Sequence, residues 1–141
     1  MRSGKHKKAK RKKQKKRLKN GKNGEKMVLK FKLKDAYKFG WKGLKGVAYN
    51  SKEDFKKASA ALFEVTGRHG KVKSLVSDRI YLVLEGKGEF IANEKIVPVE
   101  KNDVIIIPKN TPYDYKAVRG TLKLFLVHAP AFDENKEVKL E

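Results

Sequence analysis

Arg79-Ile80-Tyr81-Leu82-Val83-Leu84-Glu85-Gly86-Lys87-Gly88, a short polar connection, then Asn102-Asp103-Val104-Ile105-Ile106-Ile107-Pro108 and Lys109-Asn110-Thr111-Pro112-Tyr113: the reading of this stretch decides the fold. Both blocks are short apolar runs rich in Val, Ile and Leu and closed by Gly, Asn or Pro. That is the pattern of strands and tight turns, not of helices. Strand alternation puts Arg79, Tyr81 and Val83 on one face and Ile80, Leu82 and Leu84 on the other.

Upstream, Ser59-Ala60-Ala61-Leu62-Phe63-Glu64-Val65-Thr66 reads as another strand, ended by Gly67. Ser51-Lys52-Glu53-Asp54 either caps a short helical turn or forms a polar loop. The glycine-punctuated stretch Phe39 to Gly46 leads into Val47-Ala48-Tyr49, and its Trp41 is read as a core or subunit-contact anchor. Val28-Leu29-Lys30-Phe31-Lys32-Leu33-Lys34 alternates apolar and basic residues and predicts a half-buried edge strand, its lysines discouraging pairing with other chains. Downstream, Thr121-Leu122-Lys123-Leu124-Phe125-Leu126-Val127-His128 is the last strong strand; Pro130 stops it and a polar tail, Phe132 to Glu137, follows. Many short strands with Gly and Pro turns, and no sustained helical period, predict an all-β antiparallel sandwich or barrel.

The chain has 141 residues, room for one domain and too few for two ordinary ones. Its formal net charge is +20, and the excess is unevenly placed. Residues 1–26 hold 14 Lys and Arg against one acid, so 14 − 1 = +13; the rest holds 36 − 14 = 22 basic and 16 − 1 = 15 acidic residues, or +7. The division is therefore 1–26, a polybasic tail expected to be disordered because it has too little to bury, and 27–141, one domain with its centre at 59–132. Lys7, Lys8, Lys10, Arg11, Lys12, Lys13, Lys15, Lys16 and Arg17 are candidates for neutralising phosphates in sequence-indifferent nucleic-acid binding. No aromatic residue interleaves them, so base stacking is not on offer. A solvated solubility tail and a translation start at Met27 are the competing readings. The chain lacks cysteine, an apolar run of membrane length and a signal segment; a soluble cytoplasmic protein without a membrane partner is expected.

The central stretch resembles the cupin family, small double-stranded β-helix or jelly-roll barrels. Tyr81 to Phe90 resembles the most recognisable cupin strand and turn, Asp103 to Pro112 the strand and proline turn of the second motif, and Leu126 to Phe132 the closing strand and its exit. The resemblance spans Ser59 to Phe132. It implies a cupin barrel, Arg79 pointing into its interior with Tyr81 and Val83, Tyr113 also inward, and the face bearing Leu122, Leu124, Leu126 and His128 lining it.

The family's metal chemistry does not carry over. Anchored on Gly86, the carboxylate position of the first motif falls on Arg79 and its two histidine positions on Lys73 and Leu75, or by the longer spacing on Val72 and Ser74. Anchored on Pro108, the histidine position of the second motif falls on Tyr113. A metal needs three or four converging imidazole or carboxylate groups, so no metal and no cofactor are expected. An inward Arg79 needs a carboxylate or phosphate partner. That partner is either a bound small anion or an internal acid, Glu64, Asp78 or Asp114. The expected ligand site is Arg79, Tyr81, Tyr113 and His128. His69, in Gly67-Arg68-His69-Gly70, either reaches the barrel mouth or stays in water.

Three functions follow. The first is a metal-free barrel binding a small anionic metabolite in a sensing or accessory role. The second is a metal-independent sugar isomerase or epimerase, as some metal-free cupins are, with His128 or His69 as base and Tyr113 as acid. The third is a homodimeric barrel carrying an RNA-binding tail, with Leu29, Phe31, Leu33 and Trp41 expected at the subunit contact.

Overall fold

The computed structural model describes residues 27–141; the proposed phosphate-neutralising residues between Lys7 and Arg17 lie outside them. Nine strands form one curled antiparallel sheet among the described residues. A hairpin of β1 (Tyr37–Trp41) and β2 (Leu44–Ala48) turns on Gly43, at φ +89°, and pairs onward with β3 (Ser59–Val65). The path continues through β8 (Tyr113–Ala129) to β4 (Val72–Ser74) and β9 (Glu137–Lys139). β5 (Asp78–Ala92) pairs with β8 and also with β6 (Lys95–Glu100) and β7 (Val104–Ile107). No helix among the described residues is long and apolar enough to cross a membrane.

The long pair β5 and β8 builds the barrel. Asp78↔Ala129 to Val83↔Leu124 form one wall and Gly88↔Ala117 to Ala92↔Tyr113 the other, with register shifts between Val83 and Gly88 where the ribbon bends. Gly86 makes that bend, at φ +85°, and a Cβ there would stand 2.2 Å from the Thr121 carbonyl oxygen. Only glycine combines a positive φ with so close a backbone approach.

Period-two alternation decides what each strand buries. Arg79, Tyr81, Val83 and Phe90 of β5 turn inward, as do Tyr113, Tyr115, Leu122, Leu124, Leu126 and His128 of β8, all buried. The outward residues form two apolar rows in register. One is Val47, Leu62, Phe125, Leu82 and Val104; the other is Ala60, Val127, Ile80 and Ile106.

Several expectations need correcting. Residues 28–34 form no strand: the segment is unpaired and ends in a 3-10 turn, Leu33–Asp35. The alternation is there, but the segment pairs with no strand among the described residues, although β1 bonds only to β2 and keeps its other edge open. Trp41 is not a core anchor; it stands 49% exposed at the end of β1. Ser51 to Asp54 does form a capped turn, with the Ser51 backbone N–H donating to the Asp54 carboxylate at 2.9 Å and the Glu53 N–H to the Ser51 hydroxyl at 3.2 Å. The strand expected over Thr121 to His128 begins at Tyr113 and runs to Ala129, and the tail read as polar contributes β9.

Candidate functional site

Two strands and one loop bring the candidate residues together. Arg79 and Tyr81 come from β5, and Tyr113 and Tyr115 from the first half of β8. His128 is the cross-strand neighbour of Arg79. His69 sits in the link from β3 to β4, whose backbone is tied down at every step. The Thr66 and Gly67 N–H groups donate to the Gly43 carbonyl, the His69 N–H to the Tyr115 carbonyl at 2.8 Å, and the Gly70 N–H to the Asp114 carboxylate at 2.8 Å. Arg68 pairs with Asp114 and Glu141 from outside, and Trp41 Nε1 donates to the His69 carbonyl at 3.2 Å.

So held, the imidazole of His69 lies flat on Tyr115, ring centroids 4.7 Å apart at 20°, and is stacked more distantly on Tyr113 and Phe63. Trp41 meets it edge-on at 5.7 Å. His69 is therefore at the barrel mouth and half-buried, not a loop residue in water. Its Nδ1 donates to the Gly70 carbonyl at 2.8 Å, which leaves Nε2 as the lone-pair nitrogen. Burial lowers the pKa of His69 against the pull of the Gly70 carbonyl, keeping the ring neutral near pH 7. His128 packs on Phe132, ring centroids 5.4 Å apart, and burial, then the Arg79 charge and His69, hold it well below the ordinary histidine range.

Inside the barrel a hydrogen-bonded chain runs Tyr81, Tyr113, Arg79, Glu137. The two tyrosine hydroxyls are 2.5 Å apart, Arg79 Nη1 donates to the Tyr113 hydroxyl at 2.6 Å, and the guanidinium also forms a two-pronged pair with the Glu137 carboxylate, one arm at 3.1 Å. Burial opposes the charge of Arg79, but Tyr113 and Glu137 outweigh it and hold the pKa above its ordinary value. Burial raises all three tyrosines, with Arg79 pulling Tyr113 back down. Two buried groups have no hydrogen-bond partner here: Arg79 Nε, and the hydroxyl of Tyr115, which meets no neighbour in bonding geometry although Tyr81 is beside it. Each such group costs about 1–3 kcal/mol when left alone.

The internal partner of Arg79 is Glu137, not Glu64, Asp78 or Asp114. Glu64 is exposed on the outer face, Asp78 accepts from the Lys109 N–H at 2.9 Å, and Asp114 is taken up by Arg68, Gly70 and the Tyr115 N–H. Glu137 arrives through the short pairing of β9 with β4, which sets it opposite Ser74. Its one sequence signal was the alternation Glu137-Val138-Lys139-Leu140. Tyr115 was legible, two positions after the inward Tyr113.

The family's metal-ligand positions do not fit a metal. Arg79 is committed to Glu137, Tyr113 to Arg79 and Tyr81, and Val72, Lys73, Ser74 and Leu75 offer no imidazole or carboxylate. Among the described residues no three His, Cys, Asp or Glu side chains converge. Two open surface depressions, one of about 500 Å³ lined by Gly86, Lys87, Glu100, Lys101 and Arg119 and one of about 380 Å³ beside it, share no residue with this cluster. In the first of them Lys87 lies 4.0 Å from the Glu100 carboxylate.

No family model and no curated protein sequence matches the chain. Solved structures do. Pac13 from Streptomyces, described as a nucleoside dehydratase, superimposes with a TM-score of 0.72 at 26% identity over 82% of this chain and 92% of that one. Its variants with one histidine or one of two tyrosines replaced were solved with uridine, and match equally. KdgF from a Halomonas species follows at 0.67 and 13% identity over 77% and 99%, and the Cnp3 cupin domain of Schizosaccharomyces pombe at 0.63 and 22% over 79% and 80%. With the curled antiparallel sheet, the proline-bounded motif strands and these superpositions together, the chain is a cupin-fold protein.

Proposed function

We propose that the barrel interior takes a small, uncharged, ring-bearing molecule of nucleoside type and acts on it by metal-free acid–base chemistry. The observation that carries this is the buried, unpartnered hydroxyl of Tyr115 beside the flat face of neutral His69. An aromatic wall suits a planar ring, and the orphaned hydroxyl and Arg79 Nε suit its polar substituents. The expectation of an anionic ligand is less well supported, because Glu137 already neutralises Arg79.

The likeness to Pac13 supports the same reading. Its two replaced tyrosines are spaced as Tyr81 and Tyr115 are here, 115 − 81 = 34 positions apart, and its replaced histidine lies one position further before the first tyrosine than His69 does here. In a dehydration, His69 Nε2 takes a proton from carbon while the neighbouring hydroxyl leaves as water with a proton from the tyrosine chain. A carbon–carbon double bond forms and nothing is oxidised. Arg79, bonded to the Tyr113 hydroxyl, stabilises the phenolate left behind.

Calorimetry and mass spectrometry with uridine and related nucleosides test this on the wild type and His69→Gln. The expected result is binding by both and a product lighter by one water from the wild type alone. Binding without turnover in both returns the protein to a sensing or accessory role, and no binding by the wild type overturns the proposal.

A further inference from the structure

The residues proposed to meet a ligand are sealed from water. Tyr81, Tyr113 and Tyr115 are 1%, 1% and 0% exposed and Arg79 3%, and neither surface depression is lined by them. A nucleoside needs part of the wall to move. The wall is firm along β5 and β8, which pair over most of their length, and weakest at β9. That strand ends the path of the sheet and bonds to β4 alone, setting Glu137, Val138 and Lys139 opposite Ser74, Lys73 and Val72. After it the Leu140 N–H donates to the Lys71 carbonyl at 2.9 Å, and Glu141 pairs with Arg68. Both side chains of that last pair are about half exposed, so it adds little. Residues 137–141 thus run from one side of the site to the other, Glu137 inside on Arg79 and Glu141 outside on Arg68, the residue before His69. A short edge segment with few buried apolar contacts opens at a lower free energy than the sheet that carries it.

We propose that residues 137–141 form a strap over the barrel mouth, lifting from β4 to admit a ligand and closing behind it. The proposal rests on the nucleoside reading above. Lifting takes Glu137 off Arg79 and leaves the guanidinium facing the opening, where water replaces the carboxylate. Closing returns Glu137, and the buried charge is again answered. The closed state therefore suits an uncharged ligand; one that brought its own anion to Arg79 would hold Glu137 out. Because a ligand must pass the strap in both directions, a tighter strap slows entry and exit alike and leaves Kd nearly unchanged.

The chain has no cysteine, so a reversible pin can be placed in it. Lys73 and Val138 are directly opposed on the outer face of β4 and β9, and antiparallel partners have Cα atoms about 4.5–5.5 Å apart, within the span of a disulfide. Lys73→Cys with Val138→Cys pins the strap when oxidised and frees it when reduced. Stopped-flow fluorescence of Trp41, the single tryptophan, which lies edge-on to His69, follows uridine binding. Oxidation is expected to slow association and dissociation about tenfold or more each, with circular dichroism unchanged, and reductant to restore both. Equal rates in the two redox states would overturn the strap. No uridine binding by the wild type would instead sink the nucleoside reading, and amide exchange of the wild type then decides the strap by itself. Val138 and Leu140 are expected to exchange together, about a hundredfold or more faster than Leu124 and Leu126 of β8. Val138 exchanging as slowly as β8 overturns the strap, and so does Leu140 exchanging far ahead of Val138, which is fraying of the chain end.

Discussion

Arg79 and Glu137 form a buried ion pair 58 positions apart in sequence, and how much they stabilise depends on what replaces them. Glu137→Gln leaves a buried guanidinium short of its counter-charge and is expected to cost about 3–5 kcal/mol, read as a lower urea midpoint; replacing both, as Arg79→Met with Glu137→Leu, should recover most of that. Tyr115→Phe works the other way. It removes a hydroxyl without a partner, so stability should hold or rise by up to about 1 kcal/mol while nucleoside affinity falls. The histidines set the pH response. His69 and His128 both have folded pKa values below the ordinary 6.5, so below that pH the unfolded chain binds protons that the folded one refuses. Their contribution is therefore complete above pH 6.5 and lost as the pH falls beneath it, by up to about 1.4 kcal/mol per pH unit for each histidine. Urea midpoints between pH 7.5 and 5 measure the slope, and His128→Gln should flatten it. At this scale the sequence disclosed which residues face inward, since alternation alone puts Arg79, Tyr81 and Tyr113 in the barrel. It did not disclose what they touch. Glu137 is delivered by a three-residue strand, whose brief alternation does not say which residue it faces.

The elements legible in advance were those whose burial repeats every second residue over a long run, β3, β5, β7 and the second half of β8. Those missed are short: β4 and β9, which pair with each other while β4 also meets β8 at Val72↔Tyr113, and the β1–β2 hairpin, whose glycines dilute its pattern. Residues 28–34 show the converse, a strand pattern that pairs with no strand among the described residues. Two element-scale outcomes follow. Gly86→Ala forces a Cβ against the Thr121 carbonyl at a positive φ and should cost more than about 2 kcal/mol, whereas Gly70→Ala, also at positive φ but with nothing within 4 Å, should be milder. Comparing the two thermal midpoints separates the clash from the dihedral cost. Removing residues 137–141 takes away β9, Glu137 and Glu141 together, and should destabilise more than Glu137→Gln by the lost pairing of β4.

Across the whole molecule charge and shape are divided: +13 lies in residues 1–26 and +7 in the rest, where Lys123, Lys116 and Lys87 pair with Glu85, Glu89 and Glu100. The nucleoside binding proposed for the barrel rests on aromatic stacking and internal hydrogen bonds and has little use for that field, so the two parts should respond to salt independently. Filter binding of single-stranded RNA to the full chain is expected to weaken steeply with salt. If 6–10 of the basic side chains in the tail engage phosphates, the slope of log affinity against log salt falls at about −4 to −7. Because no aromatic residue interleaves those lysines, poly(U) and poly(A) should bind alike. The chain beginning at Met27 should lose this binding and keep its nucleoside affinity, with that affinity nearly flat in salt. RNA binding that survives the deletion would move the interface onto the barrel, and a nucleoside affinity that fell with the deletion would show that tail and barrel share one site.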